Sequence, residues 1–190
     1  MSRLLRALTP LIALSLTLAG CGGQAATAPN AAVVNGEQVP TARYQLLVSS
    51  AQRRIESSGL PVDWNAAQGR SQLRQIQAQA LQLAVRDTVI EQQARRRGVG
   101  IGEADLDEAV TALEGLAGGH EQLDQRLGME GLSRGDYRAL LRYTLLDRKL
   151  RAADERWDEH LAGALRAASV QAFVGPCATD HRYPRCVDAR

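Results

Sequence analysis

ALQLAVRDTVIEQQARRRGVGI, running from Ala80 to Ile101, is the stretch from which the rest of the chain can be arranged. Leu81, Ala84, Val85, Thr88, Val89 and Ala94 recur at helical spacing, with Leu73 and Ile76 leading in, so a helix here carries one broad apolar stripe. Glu91, Gln92, Arg95, Arg96 and Arg97 fall on the other face. Gly98 suits a left-handed helix end, and Arg95 to Arg97 set positive charge against the negative end of the helix dipole. The spacing predicts one long helix that stops at Gly98, after which Val99 and Ile101 lead across Gly100 and Gly102 into a second amphipathic segment.

That second segment, EADLDEAVTALEGL, turns Leu106, Val110 and Leu113 inward. Asp105, Asp107 and Glu108 sit in or beside its first turn, where the dipole favours acids; that electrostatic reading is preferred to a paired-carboxylate catalytic site. Gly118-Gly119 break the helix, and a short one from Glu121 to Leu127 ends at Gly128. Ser133 is an N-cap with Asp136 at the capping-box position. Tyr137, Leu140, Leu141, Thr144, Leu145 and Leu150 pattern the helix that follows. A charged stretch, Arg151 to Arg156, leads to a final helix bearing Trp157, Leu161, Leu165 and Ala168. Val170 to Val174 alternates like a short strand, and Gly175-Pro176 ends it.

Towards the N-terminus, Asn35-Gly36 lies between apolar residues of the segment Val33 to Val39, which is a hairpin or turn signal. Pro40-Thr41 opens a helix with Tyr44, Leu47, Val48, Ala51 and Ile55 inward, ending near Ser58-Gly59. Leu60 to Asn65 reads as a loop with Trp64 as a plug against neighbouring helices, and Asn65 or Ser71 as the cap of the long helix. A lone five-residue strand at Val170 to Val174 leaves its backbone groups unpaired, and the one other strand-like segment is Val33 to Val39. The expectation is a mainly α fold with a small two-stranded sheet in which the N- and C-terminal segments pair.

Composition agrees. Aromatic residues are 4% of the 190, while Leu, Ala, Arg and Gln dominate, which favours helices over an extended sheet. The chain carries 23 basic and 21 acidic side chains; residues 1 to 20 hold two of the former and none of the latter, so the remainder is formally neutral. No basic footprint for nucleic acid survives, and the sequence pI of 8.6 says nothing of function.

The first residues read as a targeting segment. Arg3 and Arg6 make a positive region, Ala7 to Leu18 an apolar run too short to span a bilayer, and Leu18-Ala19-Gly20 a small-residue cleavage site before Cys21. This arrangement resembles the lipobox of bacterial lipoproteins, which implies a lipid thioether on Cys21 and an extracytoplasmic, membrane-anchored protein. The alternative is an ordinary secretory signal with an accidental cysteine. The expected boundaries are a signal peptide at 1–20, a flexible tether at 21–32, a helical domain at 33–174 and a cysteine-containing tail at 175–190. Cys177 and Cys186 suit a disulfide in an exported chain. Metal ligation with His181 is the rival reading, but a fourth ligand and the usual C-x-x-C spacing are missing.

The order VVNGEQVP, then the long helix with its basic run and Gly-Val, the acidic helix opening, and EQLDQRLGMEGLSRGDYRALLRYTLLDRKL resembles the N-terminal chaperone domain of SurA-type and PrsA-type extracytoplasmic foldases, over roughly residues 32 to 152. The resemblance implies a helical domain completed by the returning end of the chain, and binding of unfolded or partly folded secreted polypeptides. It departs in one place. The foldases insert a parvulin prolyl-isomerase domain before the returning helix, where this chain has Arg151 to Arg156, so isomerase activity does not carry over.

No phosphate loop, dinucleotide fingerprint or G-x-S-x-G elbow is present, which argues against nucleotide use and hydrolase chemistry. His120, His160 and His181 lack a ligand three or four residues away, so surface or capping roles are expected and no metal or other cofactor is assigned. Arg95 to Arg97 are fewer than the usual lipid-binding cluster and read as a solvated helix end. The expected function is non-enzymatic, ATP-independent holding of unfolded polypeptides by a lipid-anchored protein. A dedicated adaptor with one defined partner is the rival, and a prolyl isomerase the disfavoured third. The residues that would touch a client are not legible, because core and groove positions look alike in sequence.

Overall fold

In the computed structural model, which describes residues 29–59 and 61–179, the long helix is the axis of the main apolar core. Helix α2 runs unbroken over Ala67–Arg96, with Ala78, Ala84, Val85, Val89, Ile90 and Ala94 buried along it. Its end follows the expected pattern: Gly98 takes φ +66°, its N–H donates to Arg95 O at 3.3 Å, and Val99 N–H donates to Ala94 O at 2.9 Å. Its start differs from expectation. Ala66 occupies the N-cap position, and neither Asn65 nor Ser71 caps the helix with its side chain. Asn65 instead belongs to a turn, donating its N–H to Asp63 Oδ1 at 2.8 Å. Trp64 is no plug; it lies half-buried and donates Nε1–H to Glu56 at 2.8 Å.

The two segments expected to pair do meet beside α2, but in three strands rather than two. Strand β1 (Asn30–Val34) pairs antiparallel with β2 (Glu37–Pro40) on one edge and with β3 (Val170–Ala172) on the other. The extra strand comes from the turn: Asn35 and Gly36 take φ +52° and +84°, which reverses the chain within two residues and folds Val33 to Val39 back on itself. β1 also takes in Asn30 to Ala32, which composition alone places at the end of the tether. β3 is shorter than the alternation suggested, though Phe173 N–H still donates to Ala31 O at 2.9 Å.

Helix α1 (Thr41–Ser57) follows β2 directly and packs along α2. Beyond α2 come α3 (Glu103–Ala117), α4 (His120–Met129) and α5 (Arg134–Ala153). Ser133 and Asp136 form the expected capping box, with Ser133 N–H donating to Asp136 Oδ2 at 3.0 Å and Asp136 N–H to Ser133 Oγ at 3.1 Å. The stretch Asp154 to Arg156 alone joins α5 to α6 (Trp157–Ala167), and the chain then enters β3 and a short α7 (Pro176–Thr179).

One apolar core lies between α2, the sheet, α5 and α6, filled by Val34, Val39, Ile90, Leu146, Leu150 and Trp157. A smaller one, Val110, Ala117, Leu123, Leu127 and Leu132, seals α3 and α4 against the start of α5. Gln92, assigned by its periodicity to the solvent face, is instead 8% exposed. It donates to Val34 O at 3.0 Å and accepts from Asn35 Nδ2 at 2.8 Å, so a buried amide is satisfied by the sheet's turn. Behind the sheet, Gly175 (φ +69°) leaves no room for a side chain: a Cβ there would lie 2.8 Å from the Tyr44 hydroxyl.

Candidate functional site

Helices α1, α2 and α5 do not close on one another along their whole length, and a cleft of about 450 Å³ remains between them. Helical periodicity builds its walls: Leu47, Ala51 and Arg54 from α1, Ile76, Ala80, Leu83 and Asp87 from α2, and Tyr137, Leu140, Thr144 and Asp147 from α5, each set at three- or four-residue steps on one helix face. The middle is apolar, and Leu83 there is 41% exposed. Ion pairs stand at the margins. Arg54 meets Glu130 at 3.1 Å, and Arg86 meets Asp147 at 3.1 Å.

A third pair is buried. Arg43 donates to Asp87 Oδ2 at 2.5 Å, and the same guanidinium lies 3.7 Å from the centre of the Tyr143 ring. Asp87 is on the apolar side of α2, only 8% exposed on its side chain. Burial pushes its carboxyl up to about 6, outweighing the pull of Arg43 and Arg86 in the other direction. Asp147 goes the other way: burial opposes its ionisation, but hydrogen bonds from Trp157 (2.7 Å) and Arg86 hold it below the usual carboxylate range. The cleft thus offers an apolar floor with charged groups committed to one another, a surface suited to apolar side chains.

None of the cleft was read from sequence as a site. Leu83 lies just off the apolar stripe, and Asp87 is an acid at the spacing of inward-facing residues, Ala80, Ala84, Asp87. That charged residue on an inward face was the one available signal.

The residues weighed in the sequence fall elsewhere. Asp105 accepts from Gly102 N–H at 2.8 Å and from Lys149 at 3.0 Å and serves the helix start as expected, whereas Asp107 lies past the first turn and accepts from Arg138 at 2.6 Å, and Glu108 has no hydrogen bond or ion pair among the described residues. His120 Nδ1 lies 2.8 Å from Glu114 and His160 Nδ1 2.6 Å from Asp154, both in exposed ion-pair networks. Among the described residues, no group of His, Cys, Asp and Glu is placed to hold a metal. Arg95 pairs with Glu37 and Glu91, and Arg97 with Asp154 at 2.6 Å, so of the basic run Arg96 alone has no hydrogen bond or ion pair among the described residues, and all three stay exposed. Cys177 is buried in α7. Cys21, His181 and Cys186 lie outside the described residues.

The profile of the SurA-like N-terminal domain matches residues 2–151, most of the chain. The chain belongs to that family. A comparison with curated proteins returned no match. SurA-like N-terminal domains are a chaperone-related, extracytoplasmic family, and the domain is the non-catalytic module of the foldases that carry it. The match stops within α5, so α6, and β3, which completes the sheet, lie beyond it. Among the described residues, no helix is long and apolar enough to cross a membrane.

Proposed function

We propose that this SurA-like domain is a lipid-anchored, extracytoplasmic chaperone that holds unfolded or partly folded polypeptides without nucleotide, metal or catalysis. The observation that carries the reading is the cleft between α1, α2 and α5: an apolar floor left open in a folded domain, with Leu83 at its surface. Apolar segments of a client gain about 25 cal/mol for each Å² they bury there, which gives weak and tolerant binding. The absence of an inserted isomerase between α5 and α6, where Asp154 to Arg156 make a direct joint, favours holding over catalysis.

Aggregation of several unrelated unfolded proteins, followed with and without the full chain, tests the holding. Suppression for all of them that is weakened by Leu83→Asp, with thermal stability unchanged, is the expected result. Suppression that ignores Leu83→Asp, or confinement to a single tight partner, would sink it in favour of an adaptor.

The anchor and tail belong to the same proposal, with residues 1–20 as signal, 21–32 as tether and 175–190 as a tail closed by Cys177 and Cys186. Cys21→Ala is expected to release the protein from membranes, and continued membrane association would remove the anchor from the reading. Mass spectrometry without reductant is expected to find Cys177 and Cys186 joined; free, alkylatable thiols at both would remove the bridge.

A further inference from the structure

Across α5 from the cleft runs a second depression, between α3 and α5. Two adjoining pockets of about 420 and 230 Å³ share Ala109, Ala112, Leu145 and Arg148, so together they form one groove. Leu113, Leu140 and Leu141 give it an apolar floor. At one end Leu116 is 81% exposed, the most exposed large apolar side chain among the described residues. Glu108, Ala112 and Leu116 follow one another at four-residue steps along α3, so acid, small residue and leucine share one line.

The charges around this groove are unevenly committed. Arg138 pairs with Glu103 and Asp107, Lys149 with Asp105, and Arg134 with Glu114 and Asp124. Glu108 and Arg148 are different: both line the same pocket, one from each bank, and neither has a hydrogen bond or ion pair among the described residues. The face therefore offers a protruding leucine, a hollow with room for one, and one unspent charge of each sign.

We propose that this face is where two copies of the chain meet about a two-fold axis. An isologous contact needs a surface complementary to itself, in which a residue of one copy meets a second residue of the other and the reverse holds equally. The groove has both halves of each requirement. Leu116 of one copy enters the hollow of its partner, and Glu108 of one copy faces Arg148 of the other, so each interaction is made twice. A foreign partner would have to supply the same knob and the same pair of charges; a second copy already has them. The groove shares Tyr137, Leu140 and Thr144 with the cleft, but Leu116, Glu108 and Arg148, on which the contact turns, do not line the cleft.

Analytical ultracentrifugation of the purified full chain over a concentration series tests this, with Leu116→Asp, Glu108→Arg, Arg148→Glu and the Glu108→Arg/Arg148→Glu double variant alongside. All three positions are exposed, and circular dichroism checks that each variant folds. A concentration-dependent dimer is expected, with each single change raising its dissociation constant about tenfold or more because every change counts twice. The double variant is expected to return to within about threefold of the parent. A chain that stays monomeric at every concentration overturns the proposal, as does a dimer indifferent to these changes or a double variant no better than the singles. A monomer that takes up an amphipathic peptide at this groove overturns it too, since the occupant is then foreign.

Discussion

Asn35 and Ser169 hold each other by two hydrogen bonds: Asn35 N–H donates to Ser169 O at 2.8 Å, and Ser169 N–H donates to the Asn35 side-chain oxygen at 2.9 Å. The same side chain gives its amide hydrogen to Gln92, so one residue ties the hairpin turn, the long helix and the returning strand together. Asn35 also stands at φ +52°, which asparagine tolerates better than most residues.

These two roles can be separated. Asn35→Gly keeps the backbone conformation and loses the side-chain bonds, and is expected to cost about 1–2 kcal/mol. Asn35→Ala loses the bonds and adds strain, so it is expected to cost about 1 kcal/mol more than Asn35→Gly. Urea unfolding of both variants checks the order, and equal losses would mean that the bonds alone matter.

Asp87 predicts a pH dependence. Its carboxyl takes up a proton at about 6 in the folded protein and near 4 when unfolded. The folded value is the higher, so the stability attached to this group is full below about 4 and is lost as pH rises through 6. Asp87→Asn is expected to flatten the unfolding free energy between those limits. Asp87→Ala is expected to cost roughly 3 kcal/mol at neutral pH, because Arg43 stays buried without its partner. Chemical unfolding at several pH values gives both numbers.

Asp154 has the opposite sign. Hydrogen bonds from Arg97 and then His160 keep its carboxyl down at about 2. Its contribution is present above about 4 and lost as pH falls through 2. Asp154 also holds Arg97 over the indole of Trp157, which is 1% exposed. Asp154→Ala is expected to alter Trp157 emission and to weaken acid-induced loss of structure in that range. Emission and acid titration identical to the parent would show that the Arg97 contact does not depend on Asp154.

Gly69 reverses a familiar expectation. Replacing glycine by alanine within a helix ordinarily stabilises by about 1 kcal/mol. Here a Cβ would lie 2.0 Å from the Asp63 backbone oxygen, because the preceding loop crosses directly over the first turn of α2. Gly69→Ala is therefore expected to destabilise by roughly 1–3 kcal/mol, measured by urea unfolding.

Periodicity and capping chemistry made the helices legible. The stop at Gly98, the box at Ser133 and Asp136 and the turn at Asn35-Gly36 are each decided by residues within a few positions, and each stands as read. What escaped the sequence depends on distant partners. Gln92 reads as a surface amide until Val34 and Asn35 arrive to satisfy it. Asp87 reads as a polar interruption until Arg43 meets it from a helix 44 residues away in the chain. The cleft was illegible for a related reason: Leu47 and Leu140 are patterned like core residues, and only the spacing between helices decides that they border open space.

The antiparallel pairing of β1 with β3 has a consequence for biogenesis. More than a hundred positions separate β1 from β3 in the chain. In a chain that emerges N-terminus first, across a membrane as from a ribosome, β1 is present before the strand that completes it. Throughout that delay one margin of β1 has no neighbour to bond, so each newborn molecule passes through a stage in which it is itself open to unwanted strand addition, until its own β3 arrives.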